Sequence, residues 1–243
     1  MCHDDDSRPP SPPVVGEVAS HNLITLTAAD GNSFAAYVAV PATPNGKNVV
    51  ILPDVRGLYP YYEQLAVRFA EAGFHAVAFD YFGRDVGVGQ RDDDFDWQTE
   101  LAKLTPEYVA ADAGASAEYL RAMNPGPVFT VGFCFGGSNS WRLSASDLGL
   151  AGCIGFYGQP KLLADFEARL QVPMLMLVAG DDFATPSEEF VALDARLTAS
   201  GVDHEMVVFE GAPHSFFDRS FGEWAQACTD SWNLILAFTD RLS

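Results

Sequence analysis

Gly132-Phe-Cys-Phe-Gly-Gly137 directly follows an apolar run at residues 127–131, and this stretch decides how the chain is interpreted. The run predicts a buried β-strand, and the glycines after it predict a tight turn into a helix. A cysteine at this point of a strand–turn–helix unit occupies the place of a nucleophile elbow, where the backbone is strained and the side chain stands above the sheet. The alternative is a core cysteine, because a free thiol packs like a small apolar side chain.

Composition limits the kinds of partner this chain can bind. It has 243 residues and a formal net charge of −19, which suits one domain with a sizeable core. Such a charge excludes nucleic acid as a partner, because phosphates must be neutralised by cationic side chains. It also disfavours a membrane surface, since anionic lipids repel it. A small anionic substrate remains compatible, because a single arginine can hold a carboxylate.

The N-terminal residues and the cysteines indicate a cytoplasmic protein. The first 13 residues are acidic and rich in proline, without the apolar segment of a secretory signal. No run of about 20 apolar residues could span a bilayer. The four cysteines lack the spacing of a zinc site or a disulfide framework. We expect residues 1–20 to form a flexible tail and residues 21–243 to form the domain.

Hydrophobic periodicity predicts an α/β fold. Two β-rich runs, residues 21–27 and 33–40, flank a turn signal at residues 29–32 and predict an antiparallel hairpin. From residue 48 onward, predicted strands alternate with predicted helices. This pattern predicts a single mostly parallel sheet with helices on both faces. Ligands of such sheets bind at the carboxyl ends of the strands.

A thiol nucleophile needs a base, and the base needs an orienting acid. His214 follows the last predicted strand, so it is expected at the carboxyl edge of the sheet; the alternative is a histidine of a surface loop. Two carboxylates, Asp181 and Asp182, follow the strand before it. We prefer Asp182, which lies four residues before the helix start at Pro186, although Asp181 remains open. The order nucleophile, acid, base is that of α/β hydrolases.

Two backbone N–H groups are candidates for binding an oxyanion. One belongs to Phe135, which follows the nucleophile, and the other to Val55, in the loop after the first buried strand. Asp54 precedes Val55 and is expected to direct its carboxylate toward the thiol. The alternative is that Asp54 caps this loop or pairs with Arg56.

Together these motifs resemble the dienelactone hydrolase family, a cysteine-using branch of the α/β hydrolases. The resemblance extends from about Asn22 to the end of the chain. It rests on the elbow, on Asp182-x-x-x-Pro186 and on His214-Ser-Phe216. Supporting stretches are Pro53-Asp-Val55, Asp80-Tyr-Phe-Gly-Arg84 and Gly155-Phe-Tyr-Gly158.

The resemblance implies an α/β-hydrolase fold without a large cap domain and hydrolysis of a carboxylic ester or lactone. Cys134, Asp182 and His214 would be the catalytic triad, working through an acyl-cysteine and without a cofactor or metal. Val55 and Phe135 would supply the oxyanion N–H groups. We expect a small-molecule ester or lactone as the substrate, and a monomer or small homo-oligomer.

The resemblance also implies substrate-binding residues. Arg84 would hold a substrate carboxylate, and Tyr157 would line the pocket. Asp54 stands where well-known members carry a glutamate that contacts the resting thiol. A second arginine is expected shortly after His214, and Arg219 is the candidate. The shorter carboxylate and the register of Arg219 weaken the prediction of a dienelactone substrate more than that of hydrolase chemistry.

Other interpretations use the same scaffold differently. Cys134 could serve a redox-sensing thiol protein, since an activated thiolate is easily oxidised. The chain could also be a non-catalytic binding module. Residues 85–104 leave the carboxyl end of a strand and could overhang the pocket as a partial lid, with Phe95 and Trp97 contacting substrate. The alternative for that segment is a solvated acidic loop with one anchoring aromatic residue.

Overall fold

A computed structural model describes residues 7–91, 94–218 and 222–243. The predictions for Arg219, for residues 1–6 and for the centre of the 85–104 segment lie outside these residues. The strands are β1 Val18–Thr27, β2 Ser33–Pro41, β3 Asn48–Leu52, β4 His75–Phe79, β5 Val128–Phe133, β6 Gly152–Phe156, β7 Met174–Asp181 and β8 His204–Pro213. The α-helices are α1 Pro60–Glu71, α2 Gly83–Val86, α3 Trp97–Leu101, α4 Pro106–Met123, α5 Phe135–Leu143, α6 Ser187–Ala199 and α7 Ala225–Arg241.

Within the described residues, the strands form one sheet in the order β1-β2-β4-β3-β5-β6-β7-β8. β1 and β2 form an antiparallel hairpin, and β2 pairs with β4 in the antiparallel sense. Every pair from β4 to β8 is parallel. The predicted fold class is therefore confirmed: an α/β-hydrolase fold with an antiparallel N-terminal hairpin.

Helices cover both faces of the sheet, and each face has its own core. On one face α1 and α7 contribute Phe69, Trp232 and Phe238. On the other face α4, α5 and α6 bury side chains such as those of Leu120 and Trp141. The inner strands β3, β4, β5 and β6 are buried at every position, because helices exclude water from both faces.

The segment before β1 packs on the domain. Pro9 and Pro10 are buried, and the Pro10 carbonyl accepts a hydrogen bond of 3.1 Å from the Trp232 indole. The N–H of Gly16 donates to the carbonyl oxygen of Glu71 at 2.7 Å. Through these contacts Pro10 lies against α7 and Gly16 against α1, whereas the sequence alone led us to expect a flexible tail over residues 1–20.

The start of β1 differs from the sequence prediction. β1 begins at Val18, three residues before the predicted start, because the hairpin pairing with β2 continues past a register irregularity to Pro41. α5 begins at Phe135, directly after the turn that Cys134 occupies. The helix follows the nucleophile directly because glycines occupy its first turn and permit close packing on the sheet.

The parallel strands bring the ends of β3, β5, β6, β7 and β8 to one edge, and all the catalytic candidates follow these ends. Across the described ranges, every helix is too short or too polar to cross a membrane.

Candidate active site

Cys134 occupies the strained turn between β5 and α5. Its φ and ψ are 55° and −111°, a conformation that non-glycine residues rarely adopt. Its N–H donates to the carbonyl oxygen of Phe156 at 3.1 Å, and its own carbonyl accepts from the Ser138 N–H at 3.1 Å. These bonds fix the turn from both sides and leave the thiol partly exposed at the sheet edge.

Glycines allow the first turn of α5 to touch the sheet backbone. A Cβ at Gly136 would lie 2.1 Å from the carbonyl oxygen of Leu52, and one at Gly137 would lie 2.3 Å from that of Phe156. At Gly132 a Cβ would lie 2.0 Å from the carbonyl oxygen of Gly136. Any side chain at these positions would therefore push the helix away from β3, β5 or β6.

The same packing brings together the two backbone segments that carry the oxyanion candidates, the start of α5 and the loop after β3. Phe135 is the first residue of α5, so its N–H is one of those a helix cannot bond internally. Gly136 touches the end of β3, where Val55 stands in the following turn. The Asp54 side chain accepts from the Arg56 N–H at 2.9 Å, and the Asp54 carbonyl accepts from Gly57 at 3.2 Å. The turn that presents Val55 is thus fixed by Asp54.

His214 pairs with Asp182. Its Nδ1 lies 2.8 Å from Asp182 Oδ2, and both side chains are almost completely buried. The other oxygen of Asp182 accepts from the Ala184 N–H at 2.7 Å. Asp181, the alternative, is exposed. Of the two neighbouring carboxylates, the one that contacts the imidazole is Asp182, and the buried His214 is not a surface-loop histidine.

Two aromatic rings hold the His214 imidazole. The Tyr157 ring centroid lies 4.9 Å from that of His214, and the Phe183 ring lies 5.1 Å away, edge-on. Tyr157 has φ 36° and Ser215 has φ 68°. With Cys134, these are the non-glycine residues of positive φ in the described chain, and all three flank the imidazole or the thiol. Phe183 is 88% exposed, so it lies at the mouth of the site.

Asp218 is a residue of the site that the sequence analysis missed. Its carboxyl group is fully buried, and Oδ1 accepts a hydrogen bond of 2.8 Å from the Tyr157 hydroxyl. Burial, reinforced by the negative charge of Asp54, raises its pKa well above the ordinary value. The signal available in the sequence is a lone carboxylate directly after the apolar pair Phe216-Phe217.

Asp54 is also fully buried, and the direction of its carboxylate toward the thiol stays a prediction. Its Oδ2 lies 3.9 Å from Arg56 Nε and has no hydrogen-bond partner in the described part of the chain. The pairing with Arg56 that we considered as an alternative is therefore present. The nearby Tyr81 hydroxyl is affected by the same groups. Burial raises the Tyr81 pKa well above its ordinary value, and the negative charges of Asp54, Asp80 and Cys134 raise it further.

The structure places Arg84 differently from the prediction. Its guanidinium contacts Asp30 Oδ2 at 2.6 Å and Asp112 Oδ1 at 3.0 Å, and it stacks on the Tyr108 ring at 4.2 Å. Burial raises the Asp112 pKa to about 6 even though the Arg84 charge opposes this shift. Arg84 thus links the β1–β2 hairpin to α4. Its two terminal nitrogens, which we expected to bind a substrate carboxylate, are paired with Asp30 and Asp112 instead.

The segment after α2 is held against the loop that follows β4. Arg91 contacts the buried Asp80 at 2.7 Å and lies over the Phe95 ring. Phe95 packs edge-on against Phe82, with ring centroids 4.9 Å apart. This matches the interpretation of a loop with an anchoring aromatic residue, and contact of Phe95 or Trp97 with substrate stays a prediction.

Nowhere in the described ranges do three His, Cys, Asp or Glu side chains come close enough to hold an ion. The same sheet edge carries a thiol, an imidazole, carboxylates and backbone N–H groups.

Comparison with known proteins gives a consistent result. The model of the dienelactone hydrolase family matches residues 34–243. A Salmonella typhi protein named "Putative carboxymethylenebutenolidase" is 27% identical over 232 residues, covering 88% of this chain and 84% of the relative. Protein usf of Aquifex pyrophilus is 26% identical over 219 residues, covering 86% of this chain and 94% of the relative.

Solved structures agree with the fold. A dienelactone hydrolase-like promiscuous phosphotriesterase from metagenomic libraries superposes with a TM-score of 0.75. It is 23% identical in sequence, and the match covers 92% of this chain and 99% of that chain. At this identity the similarity shows the fold alone.

Proposed function

This chain belongs to the dienelactone hydrolase family and is a hydrolase of esters or lactones, and we propose that it works through a Cys134–His214–Asp182 triad with an acyl-cysteine intermediate. The observation that carries this proposal is the buried contact between His214 and Asp182 beside the strained turn of Cys134. A thiol, a base and an orienting carboxylate at one sheet edge are the parts that nucleophilic acyl transfer requires.

In the first step, the Cys134 sulfur attacks the carbonyl carbon of the substrate and His214 takes the thiol proton. Asp182 holds Nδ1 of His214, which leaves Nε2 as the basic nitrogen that faces the reaction. The carboxylate stabilises the imidazolium and keeps its own charge throughout.

The tetrahedral intermediate carries its negative charge on the former carbonyl oxygen. The N–H groups of Val55 and Phe135 are the donors we propose for this oxyanion. Each such donor contributes about 3 kcal/mol to transition-state stabilisation in comparable sites. The packing of Gly136 on Leu52 supports this assignment, because it holds the two donors' backbone segments together.

Collapse of the intermediate releases the alcohol or opens the lactone ring, and His214 returns its proton to the leaving oxygen. A water molecule then attacks the acyl-cysteine, with His214 as base, and frees the acid and the thiol. A thiolate leaves more readily than an amide nitrogen, so we infer that reactive esters and enol lactones are the substrates rather than amides.

The substrate class is a small ester or lactone. The exposed Phe183 lies beside the imidazole and is suited to contact the apolar part of the substrate, while the fully buried Tyr157 packs against the imidazole from inside the fold. We infer that the protein acts in the cytoplasm, because a reducing compartment keeps the Cys134 thiol available. We also infer that it is a monomer or a small homo-oligomer.

The experiment compares wild type, Cys134→Ala and Cys153→Ala on a p-nitrophenyl ester and on a dienelactone. Cys153 is a matched control, since it is a buried thiol of β6 whose pKa burial raises to about 12. We expect Cys134→Ala to abolish hydrolysis and Cys153→Ala to retain it. Mass spectrometry of the quenched reaction should show the acyl group on the Cys134 peptide. Full activity in Cys134→Ala would refute the triad.

A further inference from the structure

The mechanism above makes no use of Asp218, although this residue lies inside the site. Its side chain is fully buried. Oδ1 accepts the Tyr157 hydroxyl at 2.8 Å, while Oδ2 finds no hydrogen-bond partner among the residues described. A buried carboxylate with one oxygen unsatisfied is unfavourable as an anion, so this group has a reason to be here other than stability alone.

The surroundings of Asp218 favour its acid form. Asp54 approaches from the loop after β3, Tyr157 from the end of β6, His214 from the same turn and Cys228 from α7. Burial and the Asp54 charge raise its pKa, and they outweigh the opposing hydrogen bond from Tyr157 and the charge of His214. Oδ1 can accept the Tyr157 hydroxyl whether the carboxyl group is charged or neutral.

Tyr157 is held in a conformation that bulky residues rarely adopt. Its φ is 36°, and its N–H donates to the Leu177 carbonyl at 2.8 Å. Such strain persists only where surrounding contacts over-determine it, and it concentrates at functional sites. The two ends of Tyr157 are therefore fixed, the backbone by β7 and the hydroxyl by Asp218. The ring between them lies against the His214 imidazole.

We propose that Asp218 is a positioning residue of the hydrolase reaction: through the Tyr157 hydroxyl it fixes the ring on which the His214 imidazole rests. Asp182 fixes the imidazole within its plane by bonding Nδ1, and Tyr157 restrains it on one face. Removing Asp218 frees the Tyr157 ring to move, and the imidazole loses its alignment with Cys134. This inference rests on the proposed function, because the imidazole matters only if His214 is the base.

The test uses four variants: Asp218→Ala, Asp218→Asn, Tyr157→Phe and the double variant Asp218→Ala/Tyr157→Phe. Asp112→Ala is the matched control, because Asp112 is also a buried carboxyl with a raised pKa but belongs to the hairpin–α4 contact. For each, kcat and KM on the p-nitrophenyl ester are measured together with the thermal midpoint.

We expect kcat to fall about ten-fold in Asp218→Ala and in Tyr157→Phe, with KM changed less than about two-fold, because a base displaced from its proton loses rate rather than binding. The double variant should fall no further than either single variant, since both remove one contact. Asp218→Asn should retain most of kcat, because the amide is neutral and keeps an acceptor for the hydroxyl. Asp112→Ala should lower the thermal midpoint and leave kcat unchanged.

The rate of Cys134 alkylation by iodoacetamide gives a second measurement that needs no ester hydrolysis, with the modified cysteine identified by mass spectrometry. We expect it to fall at neutral pH in Asp218→Ala and Tyr157→Phe, and to hold in Asp218→Asn. If wild type does not hydrolyse ester or lactone, the proposed function fails, while alkylation still decides this inference. The inference would be overturned if the kcat losses of the two single variants multiplied in the double variant. It would also be overturned if Asp218→Ala left both kcat and the rate of Cys134 alkylation unchanged.

Discussion

His214 meets Asp182 because β7 and β8 run side by side to the same point. The last paired residues of the two strands are Asp181 and Pro213, and the next residue of each strand is a member of the proposed triad. Their side chains then meet at 2.8 Å across the strand ends. Strand register, rather than a long loop, therefore aligns the base with its acid.

This relationship predicts a sharp contrast between two neighbouring carboxylates. Asp182→Asn should lower kcat about 1,000-fold, because the amide favours the wrong imidazole tautomer and cannot stabilise the imidazolium. Asp181→Asn removes an exposed carboxylate one residue away and should change kcat less than about two-fold. Steady-state hydrolysis of the p-nitrophenyl ester measures both. Equal losses in the two variants would contradict the assignment of Asp182.

The ion pairs of Arg84 predict a structural role for it. Arg84→Ala should lower the free energy of unfolding by about 3 kcal/mol, because it leaves the buried Asp112 without its cation. Arg241→Ala is the control: it breaks a pair with Asp203 in which both side chains are about half exposed, and it should change stability by about 0.5 kcal/mol or less. Urea denaturation measures these differences.

The same Arg84→Ala variant also tests the expected substrate role. The Arg84 guanidinium is already paired with Asp30 and Asp112, so it has no special role in binding an anionic substrate. We therefore expect KM to change by the same factor for an anionic lactone and for a neutral ester. A rise in KM confined to the anionic lactone would restore Arg84 as the residue that binds a substrate carboxylate.

The glycine contacts predict that one methyl group disrupts the elbow. Gly136→Ala should lower the free energy of unfolding by about 3 kcal/mol, because its Cβ would lie 2.1 Å from a backbone oxygen that cannot move aside. Activity should fall as well, since the same shift separates Val55 from Phe135. Gly89→Ala is the control, where the nearest atom to a new Cβ is 4.0 Å away. Thermal unfolding of the pair provides the comparison, and similar midpoints would show that the backbone yields.

The pKa of Asp218 predicts a pH dependence of stability. Because its pKa is higher in the folded chain than the ordinary 3.8, the folded state binds this proton more tightly than the unfolded state. Its contribution to stability is complete below about pH 4 and is lost as pH rises through the folded pKa. Asp218→Asn cannot titrate, so its unfolding free energy should gain on that of wild type as pH rises.

A second buried carboxyl serves as the reference for this pH experiment. Asp112 has its pKa raised to about 6, so the same relative gain in Asp112→Asn should be complete near neutral pH. Asp218→Asn should likewise gain on wild type as pH rises above about 4, because the pKa of Asp218 is also raised. Urea denaturation from about pH 4 to about pH 9 covers both windows. An Asp218→Asn curve parallel to that of wild type would show that the Asp218 pKa is not raised.

Much of the fold was predictable because local signals agreed with the global pattern. The elbow glycines, the alternation of strands and helices, and the turn between β1 and β2 each point to one parallel sheet behind a hairpin. The candidates at the strand ends were predictable for the same reason, since parallel strands share one carboxyl edge. Family membership was predictable from the motifs around Cys134, Asp182 and His214 and from the stretches that support them.

What the sequence could not provide was the pairing of long side chains. Arg84 lies near the correct edge, but only the folded structure shows that Asp30 and Asp112 converge on it from the hairpin and from α4. Asp218 was missed because its role depends on Tyr157, 61 residues earlier in the chain. Contacts between distant residues of unlike type leave no periodic signal in the sequence.

The close contact of the α5 backbone with the backbones of β3 and β6 has a consequence for how this pocket can evolve. The distance between the nucleophile and its proposed oxyanion donors is set by main-chain atoms and by three glycines, not by any replaceable side chain. Residues around the entrance, such as the exposed Phe183, can therefore be exchanged while the reactive centre keeps its dimensions. Substitutions at the entrance of the pocket can therefore change which substrates bind, while the reaction at the centre stays the same.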